Sequence, residues 1–151
     1  MTEEQRLIEK LRRIERLYSG TTSAGEREAS AQALKRVRQR LEAIQQQDPP
    51  VEYRFTLADS WSRRLFLALL RRYGIRPYRY YRQRHTTVMA RVSEQFVDEI
   101  LWPEFEALQD TLCSYLDQVT DRVIAAGVFA DSSEAEVVSD AAKRLPDRGH
   151  S

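Results

Sequence analysis

Between Ser60 and Ser93 the chain carries nine arginines and no acidic residue: Arg63, Arg64, Arg71, Arg72, Arg76, Arg79, Arg82, Arg84 and Arg91. Residues 94–140 reverse the sign, with 12 acids against one base, Arg122. A guanidinium does not leave water without a partner, so these two stretches limit what the chain can become. Either the acidic stretch packs beside the basic one and neutralises it, or the basic face stays open to a polyanion. The formal net charge of the 151 residues, +1, conceals this segregation. Arginine outnumbers lysine by 21 to 3. That bias fits two-point recognition of phosphate or carboxylate by a planar fork, and fits equally a GC-rich coding sequence.

Hydrophobic periodicity places the elements. Leu7, Leu11, Ile14 and Tyr18 recur at steps of three and four, with Ile8 and Leu17 beside them, and predict a helix over residues 2–18. Gly20 would end it, and Ser23-Ala24-Gly25-Glu26 has the form of a capping box for a second helix. Leu34, Val37, Leu41 and Ile44 form the seam of that helix, which stops before Asp48-Pro49-Pro50 because proline removes a donor and restricts the residue before it. Residues 1–47 thus read as an amphipathic helical hairpin, and 48–58 as a Pro-containing linker. Asp59 or Ser60 would cap a third helix with Trp61, Leu65, Ala68 and Leu69 on its inner side, ended by Gly74. Residues 78–82 and 86–92 are rich in aromatic and β-branched side chains and predict a two-stranded hairpin turning at Gln83-Arg84-His85. Ser93 would cap a fourth helix, Trp102-Pro103 would kink or restart it, and the stripe Phe105, Leu108, Leu112, Tyr115, Val119, Val123 would carry it to Gly127.

Together these give a mainly α fold with a small two-stranded antiparallel β-hairpin: helical hairpin, short helix, β-hairpin, long C-terminal helix. Residues 59–130 would form the helix and hairpin core. Residues 131–151 would be a polar tail, with a turn or two of helix starting at Ser133-x-x-Glu136.

Within the first hairpin, Ile8-Glu9-Lys10-Leu11-Arg12-Arg13-Ile14 is followed by Glu28-Ala29 and Ala33-Leu34 leading to Leu41. This run, over about residues 6–45, resembles the N-terminal helical hairpin of a bacterial protein family of unknown function, with its Lys-Ile-x-x-Leu first helix and Glu-Ala-x-x-Ala second helix. Glu15 and Arg16 depart from the apolar, Ala-rich residues usual there. The resemblance implies the helical hairpin and a bacterial-type protein, and it carries over no functional residue.

Most chemistry lacks its residues. There is no glycine-rich phosphate loop, no His-Glu-x-x-His, and two His with one Cys cannot build a conventional zinc site. His85 is the one internal candidate for a base, and nothing pairs it with Cys113. The carboxylate pairs Glu94/Asp98, Glu106/Asp110 and Asp117/Asp121 lack the histidines of di-iron bundles and read as a solvated face. No metal and no cofactor is expected. Cys113 alone cannot form an internal disulfide, and it sits among apolar residues as a packed thiol would. The longest apolar run, Leu65–Leu70, stops at Arg71, far short of the roughly 18 residues a membrane helix needs. The start, Met1-Thr2-Glu3-Glu4-Gln5, lacks a basic-then-apolar leader pattern. A cytoplasmic protein away from membranes is expected.

What remains is Arg76-Pro77-Tyr78-Arg79-Tyr80-Tyr81-Arg82-Gln83-Arg84-His85. Arginines neutralise phosphates and tyrosine rings give unpaired bases a face to stack on. Arg63, Arg64, Arg71, Arg72, Arg76, Arg79, Tyr80, Arg82, Arg84 and His85 are therefore the candidate nucleic-acid contacts, for RNA or DNA, in a non-enzymatic binding protein. The alternative is a protein-interaction or self-associating regulatory module, in which the N-terminal hairpin buries its seam against a partner or a second copy while the basic and acidic segments cancel. A third reading is an enzyme whose site is not written in local motifs.

Overall fold

A computed structural model describes residues 1–19 and 26–139. Helix α1 (Glu3–Ser19) opens on a capping box: Gln5 N–H donates to the Thr2 hydroxyl (3.1 Å), and Thr2 N–H donates to the Gln5 side chain (2.8 Å). Helix α2 (Glu26–Gln47) buries Val37, Leu41 and Ile44, as its seam predicts. The expected stop at Gly20 and the box at Ser23–Glu26 involve positions outside the described residues.

The class of fold is the expected one, mainly helical with a two-stranded antiparallel sheet. The identity of the first strand is not. Strand β1 is Val51–Thr56, inside the stretch read as a linker, and it pairs with β2 (Thr87–Val92) from Val51↔Val92 to Thr56↔Thr87. Helix α3 (Ser60–Arg72) lies between them in sequence. Of the expected ladder between 78–82 and 86–92, one rung exists: Tyr78 N–H donates to the Met89 carbonyl (2.9 Å) and Met89 N–H donates to Tyr78 (2.8 Å). Arg82 breaks the strand by adopting φ 74°.

Helix α3 shows how its ends were encoded. Asp59 accepts from Ser62 N–H at 2.7 Å. At the other end Gly74 takes φ 75°, Ile75 N–H reaches the Leu70 carbonyl (2.9 Å) and Gly74 N–H the Arg71 carbonyl (3.1 Å), a complete Schellman motif. Its inner face is Ser62, Phe66, Leu69, Leu70 and Tyr73, so the expected inward placement of Trp61 and Ala68 is corrected: both are exposed, and Leu65 is half-buried. Ser62 goes inside because its hydroxyl is satisfied, donating to Asp59 (3.0 Å) and accepting from Gln109 (2.7 Å).

Ser93 caps α4 (Glu94–Phe96), accepting from Phe96 N–H (3.2 Å), and Asp48 at the end of α2 accepts from Gln95 N–H (2.8 Å). The helix then passes through one π-helical turn, Val97–Leu101, closed by Trp102 N–H on the Val97 carbonyl, and continues as α5 (Trp102–Gly127). Pro103 has no N–H to offer one turn back, and the wider turn accommodates that loss at the place where the sequence predicts a kink or restart.

Residues 1–115 form one compact unit. Its core joins the α2 seam, Phe55, Phe66, Tyr73, the inward face of β2, Phe96, Ile100, Leu101, Phe105 and Leu108. The N-terminal hairpin is part of this core. Phe66 packs at 4.6 Å from Phe55, 4.9 Å from Phe105 and 5.9 Å from Trp102 between ring centres. Cys113 is half-buried. The second unit begins at Leu116. In it, Val123 is exposed, Asp121 accepts from the Ser132 hydroxyl (3.1 Å), and no helix starts at Ser133 among the described residues. There the Asp131 carboxylate accepts from Ser133 N–H (2.9 Å), a local turn that competes with helix initiation. Residues 140–151 of the expected tail lie outside the described residues. No helix among the described residues is long and apolar enough to cross a membrane.

Candidate nucleic-acid interface

The rung Tyr78↔Met89 closes a loop, 79–88, whose outer part carries Arg79, Tyr80, Tyr81, Arg82, Arg84 and His85, all exposed. Its geometry is locally fixed. Tyr80 N–H donates to the Gln83 side chain (2.8 Å), Gln83 N–H to the Tyr80 carbonyl (3.1 Å), and Thr87 N–H to the Arg84 carbonyl (3.0 Å). Gln83 also reaches the Met89 sulfur at 3.5 Å, which ties the loop to the sheet.

At its base, Glu52 of β1 accepts from the hydroxyls of Tyr78 (2.5 Å) and Tyr80, whose rings meet edge to face at 5.6 Å. Arg91 stands opposite Glu52 in the sheet. The two tyrosine hydrogen bonds, and then the Arg91 charge, hold the Glu52 carboxyl below its ordinary range, while both hydroxyls are pushed up by donating to it. Tyr80 thus serves as a clamp. Tyr81, which the sequence did not single out from its neighbours, is 91% exposed, with the Arg82 guanidinium 5.8 Å from its ring centre.

The helical candidates divide. Arg64 and Arg71 are exposed on the outer face of α3, where Trp61 is 51% exposed one turn before Arg64. Arg76, just after the helix, is also exposed. Arg63 turns toward the Leu57 carbonyl (3.4 Å). Arg72 is withdrawn: it ion-pairs with Glu15 of α1, and its carbonyl accepts from Arg38 at 2.7 and 3.2 Å. Among the described residues of 1–115, Arg72 is the one member of the nine arginines with a carboxylate at ion-pair distance. That carboxylate comes from α1 and not from the acidic stretch. The acidic stretch contributes Glu99, which pairs at 3.5 Å with Arg40 of α2. Glu94, Asp98, Glu106, Asp110, Asp117 and Asp121 are exposed.

Glu104 behaves differently. It is fully buried on α5, with the Tyr73 hydroxyl donating to Oε2 at 2.6 Å and lying against Oε1. Burial pushes its pKa up to about 7, and Glu15 adds to the rise, against the lowering effects of Tyr73 and Arg72. Burial likewise raises the Tyr73 hydroxyl, helped by the Glu104 charge. Glu104, Glu15 and Arg72 border a cleft of about 290 Å³ whose remaining walls are mostly apolar, among them Leu11, Leu65 and Leu108. No group of three His, Cys, Asp or Glu side chains placed to hold a metal ion occurs among the described residues.

The left-handed backbone at Arg82 supplies one test. A non-glycine residue there costs about 1 kcal/mol, so Arg82→Gly is expected to keep or slightly raise the melting temperature while removing the guanidinium above Tyr81. A melting scan checks this, and a marked loss of stability would mean that the side chain, not the backbone, sets the turn.

No protein-family model, curated protein or solved structure matches the chain.

Proposed function

We propose that the protein binds single-stranded nucleic acid, RNA or DNA, through the loop 79–86. Tyr81 stacks on an unpaired base, Arg79, Arg82 and Arg84 neutralise the flanking phosphates, and Arg64, Arg71 and Arg76 extend the positive field. The observation that carries this reading is the pairing of a 91% exposed tyrosine with an overlying guanidinium in a stretch that holds no acid. Stacking on such a ring contributes about 1–3 kcal/mol per base, and each phosphate contact adds a salt-dependent increment.

Fluorescence anisotropy with a mixed-sequence labelled oligonucleotide tests it. Affinity should fall steeply with salt, and R79A/R82A/R84A should reduce the log–log salt slope by about 2, since each single-strand phosphate contact contributes about 0.7. Tyr81→Ala should weaken binding about tenfold with the slope unchanged. Absence of binding at about 50 mM salt overturns the proposal.

A second reading, association through the N-terminal hairpin, draws on Ile8 and Leu17, which stay exposed on α1. It requires a mass in solution that rises with concentration and ignores the loop variants.

A further inference from the structure

A groove of about 410 Å³ opens beside β1 and the start of α5, lined chiefly by Tyr53, Phe55, Trp102 and Pro103 together with the carboxylates Asp98 and Glu106. Phe55 stacks nearly parallel to Tyr53 (5.6 Å, 15°) and to Trp102 (5.9 Å, 13°), so the wall is a three-ring ladder with its two outer rings half-buried. Asp98, Trp102 and Glu106 follow one another at four-residue steps, which sets a carboxylate on either side of the indole, about 12 Å apart along the helix. Both carboxylates are exposed, and neither makes a hydrogen bond or ion pair among the described residues. The Tyr53 hydroxyl registers the local field: burial pushes its pKa up first, and the charges of Glu94, Asp98 and Asp48 push it further.

We propose that this groove binds an extended arginine-bearing peptide of a partner protein, one guanidinium on each carboxylate and an intervening apolar side chain over Tyr53 and Trp102. Charge complementarity selects a cationic occupant and repels nucleic acid. The carboxylates select a guanidinium, whose planar fork meets a carboxylate at two points, over the compact ammonium of lysine. The span selects the spacing. An extended chain advances about 3.3 Å per residue, so two arginines about four positions apart reach both acids.

The probe is a labelled nine-residue, alanine-based peptide with two arginines four positions apart and a leucine between them. A Trp61→Phe background leaves Trp102 as the one remaining indole of two, so its emission reports occupancy directly. Saturable binding with a shift in Trp102 emission is expected. D98N/E106Q should weaken it at least tenfold with an unchanged melting temperature, because both side chains are exposed. The lysine peptide should bind several-fold more weakly, and the citrulline peptide should not bind. The loop variant R79A/R82A/R84A should leave peptide affinity unchanged, which separates this site from the nucleic-acid reading. Equal binding of the citrulline peptide, or indifference to D98N/E106Q, overturns the proposal. So does a sedimentation mass that rises with protein concentration and falls when the peptide is added, since the occupant would then be the arginine loop of a second copy.

Discussion

Replacing Glu104 by Gln is expected to leave stability nearly unchanged below about pH 4.5 and to raise it by about 3 kcal/mol near pH 8. The side chain is fully buried, and its pKa stands at about 7 in the folded protein against an ordinary value of 4.5. Between those two values the folded state holds a proton that the unfolded chain has released, so stability falls as pH rises through the window and levels off above it. A neutral carboxyl suits its surroundings, because it can accept from Tyr73 through one oxygen and donate back through the other. Gln keeps that shape and cannot ionise. Chemical denaturation at several pH values reads the difference between the two proteins. A difference that stays constant from pH 5 to about 8 would show that Glu104 does not carry the proton. Tyr73→Phe should act in the opposite sense, leaving the carboxyl without its partner and lowering stability most at high pH.

Phe66→Ala is expected to cost about 4 kcal/mol, and Phe66→Leu no more than about 1.5 kcal/mol. Phe66 is fully buried where β1, α3 and α5 meet, against Phe55, Trp102 and Phe105. Truncation to Ala removes the ring and leaves a void that three other rings border, and their rigidity limits collapse into it. Leu fills most of that volume and loses chiefly the edge-to-face contacts. Urea unfolding at neutral pH measures both. Similar small losses for the two variants would mean that the aromatic cluster is not the centre of the core. With typical domains stable by about 5–15 kcal/mol, the Ala variant lies near the limit of folding.

Local signals in the sequence suffice where the structure uses them locally. The α2 seam, the cap at Ser93, the Gly74 terminus and the end of α5 at Gly127 each depend on residues within one or two turns. The first strand hides behind Pro49-Pro50, which reads as a linker, although Val51, Tyr53 and Phe55 alternate with Glu52, Arg54 and Thr56. Residues 78–82 looked more strand-like by composition, but β-pairing is settled by the partner available in space, and β2 found it across α3. The phase of α3 differs from the hydropathy pattern for a related reason. A satisfied serine faces inward and Trp61 outward, an arrangement that hydropathy alone reverses. In the candidate interface, the sequence leaves open whether the acidic stretch covers the arginines, because packing between distant elements decides it. The roles of Tyr80 as a clamp and Arg72 as a tie to α1 depended on Glu52 and Glu15, far away in sequence. Nothing near Glu104 marked it as the acid that would be buried.

The π-helical turn at Val97–Leu101 makes chain length, and not side-chain chemistry, the variable that chooses this acid. Buried positions run 96, 97, 100, 101, 104, 105 and 108, a beat of four that an ordinary helix of 3.6 residues per turn would carry about 40° out of phase at each repeat. One wide turn restores the phase by taking in an extra residue. Deleting a residue there would swing every following side chain by about 100°, turning Glu104 outward and bringing a neighbour in its place. Kindred chains should therefore conserve the residue count of this turn.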